Sequence, residues 1–316
     1  MGGARGAVNK IVLADGEGNS AAIAPRLGGW LLQYVRQTEG HGPVEVLHYS
    51  PDCLHRYPAM PAGAHLMFPV AGYATSRGKA DIYCWNGEER PMPVHGFARR
   101  MPWEVDTASD LSLSLILDAD DATRKLYPFE FRLTLRYELV NGTLRSIIEV
   151  ENRDPRAMPF SIGFHPYLRT PLAPEGQRDQ CAIRLPASRE YRMTQTGIRS
   201  EGRREPHMLP ATATAVPARH FGDLAAFKAE LIDKISGLSA TVEAMFASPF
   251  RCISVWSPEM EAPFYCIEPR TAVADAFTLK GNQLIILEPG HRFCGTMILD
   301  LVECQIEAAQ APRAGR

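Results

Sequence analysis

The sequence predicts an all-β protein folded as one large antiparallel β-sandwich, and three observations lead there. First, Phe129, Phe131, Leu133, Leu135, Tyr137 and Leu139 alternate with Glu130, Arg132, Thr134, Arg136 and Glu138. That is the pattern of a strand with one buried and one wet face. Second, this run ends at Asn141-Gly142, residues that tolerate positive φ, and returns as the Ile- and Val-rich stretch Leu144 to Val150, so it reads as a hairpin. Third, 25 Pro and 25 Gly are spread along the chain, as frequent turns between many short strands require.

The other elements follow the same logic. Leu111, Leu113, Leu115 and Leu117 alternate, as do the stretches around Ile11 to Ala14, Leu31 to Val35 and Met297 to Leu301. One segment departs from period two. Asp223 to Ile235 places Leu224, Phe227, Leu231 and Ile235 at helical spacing, with Asp223 as a candidate N-cap, and predicts a short helix or irregular connection. The polar, Pro-containing stretch from Glu201 to Arg219 reads as a surface loop, and residues 305–316 as a frayed tail. Neither a repeat nor a linker divides the chain, so a single domain over 1–316, with its core from about residue 10 to 301, is expected.

Composition narrows the function classes. The 316 residues are 45% hydrophobic and 22% charged, with a formal net charge of −2 and no basic or acidic block. This offers no footprint for nucleic acid and no electrostatic anchor for a membrane surface. Apolar runs such as Leu284 to Leu287 are too short to span a bilayer, and the first residues lack the apolar core of a secretory signal. The seven cysteines are scattered, odd in number and without a CxxC pair, which points to reduced thiols and a cytoplasmic location. His41, His48, His55 and His65 are spaced too irregularly for a metal-ligand pattern, and Gly28-Gly29 reads as a turn rather than a phosphate loop. Neither metal nor cofactor is expected; the oligomeric state is left open.

Three distant segments carry the candidate chemistry: Val94-His95-Gly96-Phe97-Ala98-Arg99, Gly163-Phe164-His165-Pro166-Tyr167 and Cys266-Ile267-Glu268-Pro269. Imidazole titrates near neutrality, and a desolvated carboxylate can serve as a base. Each has an ordinary alternative: a turn cap for His165, a wet strand residue for Glu268. Further fragments accompany them in order: Gly28-Gly29-Trp30-Leu31, Phe68-Pro69-Val70-Ala71-Gly72, Tyr137-Glu138-Leu139 through Val150-Glu151-Asn152, and Leu287-Glu288-Pro289-Gly290.

Taken together, and over roughly residues 10 to 301, these segments resemble the aldose 1-epimerases, or galactose mutarotases, and especially a divergent bacterial branch of them. The resemblance implies a galactose mutarotase-like supersandwich and a cofactor-independent isomerase acting on a small-molecule sugar. It implies Glu268 as base, His165 as acid, and His95 as a ligand that binds the sugar and polarises its ring oxygen. Tyr167 would offer a hydroxyl or stacking face, and Arg77 a grip on the sugar. Two positions depart from the family pattern: Tyr73 stands where the family has an arginine, and Ser76 where it has an asparagine. The family's site aspartate has only Asp223 and Glu230 as candidates. One alternative is a hexose-6-phosphate 1-epimerase with Arg77, Lys79 and Arg99 or Arg100 as a phosphate clamp. Another is a non-catalytic carbohydrate-binding or sensor protein.

Overall fold

The structure, a computed structural model, describes residues 9–194, 197–201, 207–212, 218–224, 227–244, 249–279 and 284–303. Two antiparallel sheets dominate it, one of 11 strands and one of nine. Phe131–Val140 and Thr143–Asn152 form the expected hairpin, in register from Phe131↔Asn152 to Val140↔Thr143. Asn141 and Gly142 turn it with φ of 51° and 77°, the two left-handed residues of a type I′ turn. Ser112–Asp118 flanks the hairpin on one side and Arg292–Glu303 on the other. Residues 305–316 lie outside the described residues.

The core lies between the sheets. Leu113, Leu115, Leu133, Leu135, Tyr137 and Leu299 meet Leu31, Leu66, Phe164, Leu168 and Ile267 in one buried cluster. In the eleven-stranded sheet the central order is Trp30–Thr38, Ala64–Met67, Gly163–Arg169, Phe264–Arg270, Cys252–Trp256, Arg219–Leu224. Period two divides these strands cleanly. Phe164 and Leu168, with Tyr265 and Ile267, join the core. Their neighbours Gly163, His165 and Tyr167, and Cys266, Glu268 and Arg270, therefore point to the opposite face. That face carries the candidate site.

Among the described residues of the Asp223 to Ile235 segment, the expected short helix or irregular connection gives way to strand. The segment holds parts of two strands, Arg219–Leu224 and Lys228–Asp233, one in each sheet. Ala229, Leu231 and Asp233 are buried, while Lys228 and Glu230 face outward. Pairing on both edges of Lys228–Asp233, with Cys181–Leu185 and Leu238–Ala244, outweighs the helical spacing. The Glu201 to Arg219 stretch likewise contains a strand, His207–Pro210, on the edge of the nine-stranded sheet.

The two-faced packing of the hairpin sets a paired test. Leu135→Ala should cost about 2–5 kcal/mol in urea unfolding, because Leu135 is fully buried in the main cluster. Arg136→Ala, one residue on and on the exposed face, should stay within about 0.5 kcal/mol. Equal losses would contradict the assigned face.

Candidate active site

The register of the eleven-stranded sheet lines up a polar row across its centre. His65 lies opposite His165, Ser254 opposite Glu268, and His220 opposite Ser254. The pairs Gly163↔Arg270 and Tyr167↔Cys266 bracket His165 against Glu268. Directly opposed residues share a face, so His65, His165, Glu268, Ser254 and His220 form one line over five strands. Trp30 extends it by stacking on His65 at 4.5 Å. Parallel to this row run Tyr167, Cys266 and Trp256 on one side and Gly163, Arg270 and Cys252 on the other.

These rows floor a cavity of about 380 Å³, lined by His95, Arg99, His165, Tyr167, His220, Trp256, Glu268 and Arg270 among others. The size suits a small-molecule ligand. Its rim comes from the Val94–Arg99 segment. His95 sits there at φ 65° with its N–H donating to Gly72 O at 2.6 Å, a conformation costing a non-glycine residue about 1–3 kcal/mol. Gly96 follows at φ 71°, and a Cβ on it would lie 2.0 Å from Phe68 O. Only glycine lets this loop close on the Phe68–Gly72 segment and tip His95 over His165, edge-on at 4.9 Å.

Glu268 is fully buried and its two oxygens are treated differently. Arg270 Nε donates to Oε2 at 3.0 Å, and Arg270 Nη2 donates to the same oxygen. Oε1 has no hydrogen bond among the described residues and lies 3.4 Å from His165 Nε2. Gly163 makes this arrangement possible, since a Cβ there would fall 3.0 Å from Arg270 Cγ and 2.5 Å from Pro269 O. Tyr167 stacks on His165 at 4.7 Å, which fixes the ring plane.

All four imidazoles here resist protonation. Burial pushes His165 down to about 4, helped by Arg270 and Arg99 and opposed by Glu268. Burial and Arg270 push His220 down to about 3. Burial holds His65 and His95 well below the usual range, with neighbouring cations adding to it. His65 Nε2 lies 3.2 Å from Arg99 Nη1. A guanidinium can only donate, so this nitrogen accepts and His65 carries its proton on Nδ1.

Of the residues expected from sequence, His95, His165, Tyr167 and Glu268 come together in the cavity. Arg77 does not line it. Its side chain is 77% exposed and pairs with Glu89 at 3.6 Å, and Lys79 reaches the same carboxylate at 3.4 Å. Both cations thus converge on Glu89 rather than on the cavity. Tyr73 lines the cavity, whereas Ser76 donates to Glu89 at 2.8 Å. Asp223 and Glu230 are outside the lining and pair with Arg189 and Arg184. Residues not singled out as site residues are His65, His220, Trp256 and Arg270. Arg270 was within reach of the alternation, because it lies two residues beyond Glu268 on the same strand face.

Fold and site together define a β-sandwich protein with a buried histidine–glutamate pair at the floor of a cavity of small-molecule size. The aldose 1-epimerase family model matches residues 9–300, and the chain belongs to that family. It is 24% identical over 251 residues to the uncharacterized Escherichia coli (strain K12) protein YphB, covering 73% of this chain and 82% of YphB. A 74-residue stretch is 31% identical to a Salmonella typhimurium protein provisionally named a glucose-6-phosphate 1-epimerase, covering 22% of this chain and 25% of that protein. The Slr1438 protein of Synechocystis sp. PCC 6803 has the same fold, with TM-score 0.79 and 22% identity over 96% of this chain and 99% of its own. So does a galactose mutarotase related enzyme of Lactobacillus acidophilus, with TM-score 0.74 and 18% identity over 94% of this chain and 99% of its own.

The neutral imidazoles fix the sign of an acid effect on stability. A histidine whose folded pKa lies below its unfolded value takes up more protons when the chain unfolds. Stability is therefore full above about pH 6.5 and is lost as pH falls toward the depressed values near 4 and 3. Urea unfolding at pH 7 and pH 5 should show a marked loss at pH 5, reduced in His220→Asn. An unchanged midpoint would contradict buried, neutral histidines.

Proposed function

We propose that the chain is an aldose 1-epimerase acting on free aldoses, interconverting their α and β anomers by acid–base ring opening. The observation that carries this reading is the asymmetry of Glu268. One oxygen is clamped by Arg270, and the other is buried, unpaired and 3.4 Å from an imidazole nitrogen. A carboxylate that merely stabilised the fold would have both oxygens satisfied.

In this reading Glu268 Oε1 takes the proton of the anomeric hydroxyl. His165 delivers a proton to the ring oxygen as the C1–O5 bond opens, and the open-chain aldehyde results. Rotation about C1–C2 presents the other face of the carbonyl. The hydroxyl then attacks C1, His165 takes its proton back, and Glu268 returns a proton to O1. Protons balance over the cycle, and the chemistry calls for no redox or group-transfer partner. His95 binds over the ring-oxygen side, and Tyr167 and Trp256 supply apolar surface to the sugar. A protein that only bound sugar would have no use for a matched acid and base this close together.

Free rather than phosphorylated sugar is favoured by the placement of cations. A phosphate site needs several converging donors. Arg77 and Lys79 are held by Glu89, Arg100 is exposed and absent from the cavity lining, and Arg270 is committed to Glu268. Arg99 alone of the proposed clamp lines the cavity.

The test follows anomer interconversion by NMR exchange, with free hexoses and a hexose 6-phosphate as substrates. Free hexoses should be interconverted well above the buffer rate. His165 must be protonated to act as the acid, and its pKa lies near 4, so kcat should rise as pH falls from 8 to 6. No acceleration of any free aldose would overturn the function. A kcat that instead stays level from pH 8 to 6 and falls only toward about pH 4 would assign His165 to the base.

A further inference from the structure

We infer that His220 is a specificity-determining residue that reads the hydroxyl on C2, the carbon beside the anomeric centre. The inference rests on the proposed mutarotase reading of this site, and it concerns a residue to which that mechanism gives no task.

His220 lies in the same cross-strand row as the acid and base, but beyond Glu268 from His165. It is 3% exposed, lines the cavity, and has Nδ1 at 2.6 Å from Ser254 Oγ. Its Nε2 has no partner among the described residues. A short contact to Ser254 on one nitrogen fixes the ring and leaves the other nitrogen for something that enters the cavity. Burial and Arg270 keep the ring uncharged, so it suits a neutral hydroxyl better than an anion.

The row also fixes which hydroxyl. In the proposed reaction the ring oxygen faces His165 and the anomeric O1–H faces Glu268. C1 has two ring neighbours, O5 and C2. With O5 toward His165, C2 must lie on the far side of Glu268, toward Ser254 and His220. Adjacent strands are about 4.8 Å apart, so His220 stands roughly 10 Å of sheet beyond Glu268. A side chain the length of histidine can close that gap to a pyranose hydroxyl, whereas the serine between them is too short. Ser254, in this arrangement, acts on His220 and not on the sugar.

The consequence is a preference that depends on one hydroxyl. Wild-type protein should have a KM for glucose about 10-fold below that for 2-deoxyglucose, the factor carried by 1.4 kcal/mol. His220→Asn keeps a nitrogen near Ser254 but loses the reach of Nε2. It should raise KM for glucose about 10-fold, leave KM for 2-deoxyglucose nearly unchanged, and change kcat little. His220→Gln, whose amide reaches the Nε2 level, should restore part of the preference. An equal KM rise for both sugars, or a loss confined to kcat, would overturn the inference. Calorimetric affinities for the same two sugars separate this claim from the function it rests on. Protein that binds glucose without interconverting its anomers would end the mutarotase reading, and the 2-deoxy comparison of affinities would still decide the role of His220. Wild-type protein that binds both sugars equally, or neither, overturns the inference even if the variants do not fold.

Discussion

The buried ion pair between Glu268 and Arg270 is the interaction on which the site depends. Both side chains are almost wholly inaccessible, and removing one partner would strand a buried charge at a cost of about 3–5 kcal/mol. The pair spans only two residues of one strand, which is possible because Gly163 opposite carries no side chain. Arg270 also donates from Nη1 to Ala71 O at 3.3 Å, tying the Phe264–Arg270 strand to the segment that supports His95. By occupying Oε2 it leaves Oε1 as the free oxygen. Its charge also helps keep the surrounding histidines neutral.

A sheet buried on both faces makes such a site affordable. The core side of the central strands is filled by Phe164, Leu168, Tyr265 and Ile267, so the strands are rigid and their register is strongly specified. A rigid register converts short sequence signals into geometry. His65, His165, Glu268, Ser254 and His220 come from five separate stretches, yet pairing alone aligns them. Left-handed backbone at His95 and Gly96 then adds a ring that the sheet itself does not supply. Desolvation is the electrostatic counterpart of this packing, since it holds the imidazoles of the pocket below their usual pKa.

Legibility in the sequence followed burial. The hairpin around Asn141-Gly142 was readable because one face of each strand is wet and alternation survives. Phe264–Arg270 has every residue buried, so hydropathy gave no period there, and Glu268 stood out only through its motif. Arg270 was legible only once Glu268 was fixed, because its two-residue spacing then places it on the same face. His65 and His220 could not be recognised as neighbours, because their proximity is created by pairing between strands distant in the chain. The Asp223 to Ile235 segment misled because its apolar residues fit a helical period by coincidence, and sheet pairing decided against it. Arg77 had a motif position but no information about Glu89, which claims it.

The central claim is that Oε1 of Glu268 is the base that takes the anomeric proton. Glu268→Gln keeps the shape and the contact with Arg270 while removing that proton acceptor. The most direct measurement is the anomer exchange rate of this variant on a free hexose at saturating substrate, with folding verified by circular dichroism. The account predicts a fall of at least about 100-fold, the scale of general acid–base catalysis. Near-normal exchange in a folded Glu268→Gln protein would contradict it.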